Sequence, residues 1–133
     1  MVEPKNILVI EDSKFTVELI KGALKKARHH VETCSTGQAG LEKMESWKPD
    51  LVILDVVMPG MDGFEVCKIL KQNPATKAIP VMMLTVKDTL DDLQRGFHVQ
   101  ADYYMTKPFT EALLLGNVHK IFSEHQKHEQ SHS

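Results

Sequence analysis

The sequence lacks the features that mark secreted, membrane-spanning and zinc-binding chains. Its only two cysteines, Cys34 and Cys67, have no metal-ligand spacing, so we expect two small buried thiols in a reducing compartment. No apolar run approaches the roughly 18 residues that cross a bilayer. The start, MVEPKNILVIEDS, has neither a basic segment nor a small-residue cleavage site. These absences predict a cytoplasmic protein without a membrane partner.

An excess of positive charge is also absent. The chain has 16 lysines and arginines against 18 aspartates and glutamates, which gives a net charge of -2 at pH 7. Such a balance offers no general attraction for nucleic acid, so we expect no direct nucleic-acid partner. The 133 residues suffice for one folded domain but not for two.

The hydrophobic pattern predicts strands and helices that alternate along the chain. Continuous apolar runs are typical of strands covered on both faces, and they occur at 6–10, 51–54 and 79–84. Two shorter strands are predicted at 31–34 and 101–105. Helical periodicity occupies the segments between and after them, at 13–27, 35–47, 63–72, 89–99 and 110–126. This order predicts an α/β fold: a doubly wound, five-stranded parallel sheet of order 2-1-3-4-5 with helices on both faces, as in flavodoxin.

Two finer predictions concern the ends of the chain. In the first helix, Ser13 is the expected cap, and the apolar residues at three-to-four spacing form one buried stripe: Phe15, Leu19, Ile20, Ala23, Leu24 and Ala27. At the other end the composition becomes polar, in SEHQKHEQSHS. We therefore predict a domain over residues 1–126 and a flexible tail over 127–133.

Polar residues follow the predicted strands where each one ends. They are Glu11 and Asp12, then Asp55, then Thr85, and finally Lys107. Each alone has a structural explanation, as a helix cap, a turn, a strand end or a solvated charge. In a doubly wound sheet, however, ligands bind beyond the carboxyl ends of the strands, so the joint placement predicts a functional site.

The three acids among these residues predict a metal site. The first and third strands are neighbours in the predicted sheet, which brings Glu11, Asp12 and Asp55 together. Two like charges about 4 Å apart repel by roughly 4 kcal/mol at an effective dielectric of 20, so the group must share protons or hold a cation. Few ligands, all of them oxygens, suit Mg²⁺. The backbone carbonyl of Val57 could add a further ligand.

The same residues suit phosphoryl transfer. Asp55 is the predicted nucleophile, which forms an aspartyl phosphate. Lys107 would neutralise one phosphoryl oxygen, and Thr85 would donate a hydrogen bond to another. Glu11 and Asp12 would hold the metal, directly or through water.

Over about residues 5 to 126 the chain resembles the CheY-like receiver domain of two-component response regulators. The resemblance rests on four segments in the family's order and spacing: VIEDS, DLVILDVVMPGMDGFEV, PVMMLTV and DYYMTKPF. It implies a signalling module that catalyses only its own phosphorylation and dephosphorylation. Asp55 would take phosphate, with Mg²⁺, from a histidine kinase or a phosphohistidine protein. It further implies a cis bond between Lys107 and Pro108 and an aromatic switch at Tyr104 that follows Thr85.

The resemblance also implies partners. A downstream protein target would read the predicted fourth helix, fifth strand and fifth helix, where Phe97, Tyr104 and the run 113–115 lie. The same face is a candidate for homodimer contacts. No effector domain follows, so we expect either a stand-alone regulator or a receiver from a longer chain.

Three residues depart from the family pattern or modify it. Gln100 stands where the family usually has glycine, so its backbone must avoid a positive φ or tolerate strain. Val57 and Val86 should place apolar bulk beside the phosphoryl group, which predicts slow attack by water and a long-lived phosphorylated state.

Three other classes of protein are less consistent with the sequence. A phosphatase with an aspartate nucleophile needs a second aspartate two residues later, where this chain has Val57. A flavin mononucleotide binder needs a phosphate loop rich in Ser, Thr or Gly after the first strand, where this chain has EDSKF. An interaction module without chemistry would lack an acid, the threonine or the lysine, and none is missing.

Overall fold

The structure is a computed structural model that describes residues 3–86, 94 and 99–132, with side chains as far as His125. Five parallel strands form one sheet of order β2-β1-β3-β4-β5. The strands are β1 (Asn6–Ile10), β2 (His30–Cys34), β3 (Leu51–Asp55), β4 (Val81–Thr85) and β5 (Tyr103–Thr106). The predicted fold class and strand order are therefore confirmed. Of the helix predicted at 89–99, only residues 94 and 99 are described, so Phe97 lies outside the described residues.

The described helices pack on both faces of this sheet. They are α1 (Lys14–Lys26), α2 (Gly37–Lys43), α3 (Gly63–Gln72) and α4 (Glu111–His132). Because side chains alternate along a strand, Ile7 and Val9 belong to the apolar layer that includes α1 and α4, whereas Leu8 and Ile10 belong to the layer with α3. The central strands β3 and β4 are buried at every position, which explains their continuous apolar runs.

The helix boundaries differ from the predictions in two places. α2 ends at Lys43 rather than near residue 47. The last helix was predicted to end near Gln126 and to give way to a flexible tail, but its backbone is helical to His132. The segment from Ser123 to His132 contains neither glycine nor proline, so no residue type in it stops a helix.

The predicted apolar stripe of α1 is wrong at its first member. Ser13 caps the helix and accepts a hydrogen bond from the Thr16 amide, as predicted. Ile20 and Leu24 are fully buried, but Phe15 is 80% exposed. Phe15 lies in the first turn of the helix, next to the polar loop that leaves β1, and does not join the core cluster.

The sequence predicted that the backbone at Gln100 either avoids a positive φ or tolerates strain, and the structure shows the strained conformation. Its φ is +66°, in the left-handed region that disfavours residues with a Cβ. The residue precedes the short connection into β5, so the family's usual glycine would relieve this strain.

Replacement of Gln100 tests this interpretation. Gln100→Gly should raise the free energy of unfolding by about 1 kcal/mol relative to Gln100→Ala, because glycine accepts a positive φ without a Cβ clash. Urea unfolding of both variants measures the difference. Equal stabilities would show that the backbone at this position is unstrained.

Candidate functional site

The sheet register brings the acidic residues together. Ile10 pairs with Leu54 on neighbouring strands, so Glu11 and Asp55, each one residue further, follow at the same edge. One carboxylate oxygen from each of Glu11, Asp12 and Asp55 can be chosen such that all three lie within 4.8 Å of one another. The structure thus places the three predicted metal ligands in one cluster.

The carboxylates of this cluster differ in burial. Glu11 is 1% exposed and Asp55 is 4% exposed, whereas Asp12 is exposed. A buried carboxylate is costly unless it is paired or hydrogen-bonded. Oε2 of Glu11 is buried and has no hydrogen-bond partner among the residues that the structure describes. The cluster therefore has an unused oxygen ligand inside the protein.

Lys107, which directly follows the edge strand β5, extends its side chain into the cluster. Its Nζ lies 2.6 Å from Oε1 of Glu11 and 3.4 Å from Oδ1 of Asp55. Its amide donates to the Thr85 carbonyl (2.7 Å), and the bond between Lys107 and Pro108 is cis, as the resemblance implies. When all three carboxylates are ionised, one ammonium leaves two negative charges, which matches the charge of a divalent cation.

The protonation of Glu11 reflects this crowding. Burial, reinforced by the neighbouring Asp55 carboxylate, raises the pKa of Glu11 to about 7, although the Lys107 ammonium opposes the shift. Full ionisation of the three carboxylates is therefore unfavourable unless a further cation binds.

The donor set fits magnesium. All three side chains offer carboxylate oxygens, which Mg²⁺ prefers, and an orphaned oxygen of Glu11 is available inside the site. The loop after β3 bends back over Asp55, because the Val57 amide donates to Oδ1 of Asp55 at 3.3 Å. The Val57 side chain points outward and is 70% exposed.

Thr85 and Tyr104 lie on the strands next to Asp55. Asp55 pairs with Leu84, so Thr85 is one residue further along β4 and is 4% exposed. Tyr104 pairs with Met83 and packs against the apolar layer that includes α3. Its hydroxyl is buried without a hydrogen-bond partner among the described residues, and burial raises its pKa.

Two glycines shape the loop behind Asp55, for different reasons. Gly60 has a φ of +77°, a conformation that glycine adopts without a Cβ clash, so it permits a tight turn. Gly63 is required for a different reason, which is the close approach of two backbone segments. A Cβ on Gly63 would lie 2.3 Å from the Asp55 carbonyl oxygen and 2.9 Å from Cα of Val56. Sequence spacing carries no signal for this contact, because it depends on the approach of two backbones.

A comparison with known families matches residues 7–119 to the response regulator receiver domain. The chain belongs to that family. Receiver domains are signalling modules of two-component response regulators, which interact with histidine kinases and downstream targets. The family binds Mg²⁺ at an acidic cluster, and this receiver has such a cluster in Glu11, Asp12 and Asp55.

Individual proteins support the assignment. The receiver is 44% identical over 106 residues to the alkaline phosphatase synthesis transcriptional regulatory protein PhoP of Bacillus subtilis. That match covers 80% of this chain but only 43% of PhoP, so the chain spans less than half the length of this relative.

Solved structures agree with the fold. The chemotaxis response regulator CheY4 of Vibrio cholerae superposes with a TM-score of 0.85 at 30% identity, over 90% of this chain and 99% of that chain. The Mn²⁺-bound form of response regulator Rcp1 gives a TM-score of 0.77 at 33% identity, over 90% of this chain and 93% of that chain. Among the described residues of the receiver, no helix combines the length and apolar character needed to cross a membrane.

The contact behind Asp55 can be tested by adding one methyl group. Gly63→Ala should lower the free energy of unfolding by about 1–3 kcal/mol, because the new Cβ would overlap the backbone of Asp55 and Val56. Gly22→Ala in α1 is the matched control, since nothing lies within 4 Å of its added Cβ. The control should gain about 0.5–1 kcal/mol from helix propensity. Urea unfolding measures both changes, and similar values would refute the close contact.

Proposed function

We propose that this receiver domain accepts a phosphoryl group on Asp55 from the phosphohistidine of a histidine kinase or a phosphotransfer protein. The observation that carries the proposal is the convergence of Glu11, Asp12 and Asp55 around the Lys107 ammonium. Strands buried on both faces hold this group rigidly at their carboxyl ends, where the neighbouring Asp12 and Val57 are exposed to solvent. A donor histidine can therefore approach Asp55 from outside the protein.

The transfer itself exchanges one bond for another. A carboxylate oxygen of Asp55 attacks phosphorus in line with the histidine nitrogen, and a P–O bond forms as the P–N bond breaks. The electron pair of the broken bond stays on the imidazole. The product is an aspartyl phosphate, and water later hydrolyses it to restore the carboxylate and release inorganic phosphate.

Each neighbouring side chain has a distinct role in this proposal. Glu11, Asp12, Asp55 and the Val57 carbonyl would hold Mg²⁺, which supplies positive charge for the phosphoryl oxygens. Lys107 already contacts Asp55 and would pair with a second phosphoryl oxygen as the charge moves outward from the carboxylate. Because Thr85 ends the next strand, its hydroxyl can donate to the phosphoryl group.

The response passes from Thr85 to a surface. A phosphoryl group adds about 1.5 to 2 negative charges. We propose that Thr85 moves toward this charge and that Tyr104 turns further inward behind it.

The affected face comprises β5, α4 and the helix predicted at 89–99. On α4, Leu113 is 50% exposed while Leu114 is fully buried, so Leu113 is the residue of this run that faces a downstream protein or a second copy of the chain. A kinase-driven role of this kind belongs in the cytoplasm.

Acetyl phosphate with Mg²⁺ should add one phosphoryl group to the wild-type chain, which mass spectrometry detects. Asp55→Asn should abolish the addition because the amide is not nucleophilic. Asp62→Asn is the matched control, since Asp62 caps α3 nearby and asparagine caps equally well. Removal of Mg²⁺ with a chelator should also prevent labelling and any accompanying change in Trp47 fluorescence. Labelling that persists in Asp55→Asn would exclude Asp55 as the acceptor.

The exposed side chain of Val57 gives a second prediction, about the lifetime of the phosphorylated state. Val57→Asn should speed loss of the phosphoryl group by about tenfold, equivalent to about 1.4 kcal/mol in activation free energy. The reason is that a carboxamide can hold and orient water where valine excludes it. Val57→Ile keeps the apolar bulk and should hydrolyse at the wild-type rate. An autodephosphorylation time course checks both, and an unchanged rate for Val57→Asn would contradict shielding by this residue.

A further inference from the structure

A groove separates the carboxyl end of α1 from the first half of α4. Its volume is about 440 Å³. Val118 is 1% exposed and forms the floor together with Leu115, which is half-buried. Lys26 and Arg28 are exposed at the rim, on the α1 side. The groove therefore combines an apolar floor with a cationic edge.

The cationic edge belongs to a markedly basic stretch of chain. Residues 21–30, KGALKKARHH, contain four lysines and arginines, two histidines and no acid, within a chain whose net charge is -2. The acid opposite is Glu111 on α4, whose carboxylate lies 3.3 Å from Nζ of Lys26. The Lys26 side chain is 72% exposed and the Glu111 side chain is 39% exposed, so water screens the pair and an incoming carboxylate can compete for Lys26.

Arg28 occupies a position that favours glycine. It has a φ of +71° directly after the helix cap Ala27. Its amide donates to the Lys25 carbonyl (2.9 Å), and the next amide, of His29, donates to the Leu24 carbonyl (3.1 Å). These bonds form a Schellman motif, in which the left-handed residue is usually glycine. An arginine here strains the backbone, and strained residues cluster where a side chain serves binding.

The wall beside Arg28 is fixed in place. His29 is buried, and its Nδ1 accepts a hydrogen bond from the Lys5 amide at 3.1 Å. Its ring packs against Phe122 with 5.8 Å between ring centroids. Burial, with the nearby Lys5, lowers the pKa of His29, so the ring stays neutral and the positive charge of the rim comes from Lys26 and Arg28.

We propose that this groove docks an acidic polypeptide segment of a partner protein, with an apolar side chain of that segment on Leu115 and Val118. The charge of the rim is complementary to carboxylates, and the floor is complementary to an apolar anchor. α1 has 13 residues, about 20 Å at 1.5 Å per residue, and starts beside the acidic cluster, so the groove lies at the opposite end of the helix from Asp55. Docking therefore involves no residue of the phosphoryl site, and the unphosphorylated chain should bind the segment.

The first experiment uses a defined probe. A ten-residue synthetic peptide with two central leucines among eight glutamates is titrated into the ¹⁵N-labelled full chain. Amide shifts should centre on residues 26–29 and 115–119, and affinity should fall as salt is raised. The same peptide with glutamine in place of glutamate should bind at least tenfold more weakly. Absence of shifts, shifts centred elsewhere, or equal binding of the glutamine peptide would overturn the proposal.

Variants separate binding from folding. Arg28→Gly removes the guanidinium and the backbone strain together, so it should raise the urea midpoint while weakening peptide binding at least fivefold. Lys68→Gln removes one exposed charge on α3 and should leave the affinity unchanged. Wild-type affinity in Arg28→Gly would overturn the proposal, as would tighter binding to phosphatidylserine vesicles than to the peptide, which would indicate a membrane surface. Asp55→Asn should bind normally, so a failure of this proposal is distinguishable from a failure of the proposed phosphorylation.

Discussion

The repulsion among Glu11, Asp12 and Asp55 is the constraint on which the rest of the structure depends. An isolated group of three carboxylates would separate or take up protons, and the fold prevents separation. β1 and β3 are paired through Leu54, and both lie between two apolar layers that fix where each strand ends. The hydrophobic effect thus holds like charges together, and the repulsion among them favours the binding of cations.

Lys107, which is distant in sequence, offsets part of that repulsion with its ammonium. It lies 96 residues after Glu11, and its backbone is joined to the Thr85 carbonyl at the end of β4. Lys107 is therefore in contact with residues at the carboxyl ends of three strands, β1, β3 and β4. In the proposed phosphorylation, a new negative group on Asp55 would attract this lysine and Thr85 together and so transmit the change towards β5.

Much of this arrangement could be predicted from the sequence, because parallel sheets place their carboxyl ends at one edge. The positions of Glu11, Asp55 and Thr85 follow from three apolar runs and the strand order. What could not be predicted depends on three-dimensional approach. Phe15 fits the helical period but projects beyond the core, and Gly63 is needed by the backbone of Asp55 rather than by its own φ. The contact of Lys107 with Glu11 joins segments that no local pattern relates.

The hydroxyl of Tyr104 has a thermodynamic consequence for the resting molecule. A desolvated phenol that lacks a partner loses about 1–3 kcal/mol relative to one that is hydrated. Among the described residues nothing compensates this loss, so the packing of the ring alone opposes its escape to water. A donor or acceptor introduced beside the hydroxyl would recover that loss, so this is a position where a single added hydrogen bond can stabilise the fold.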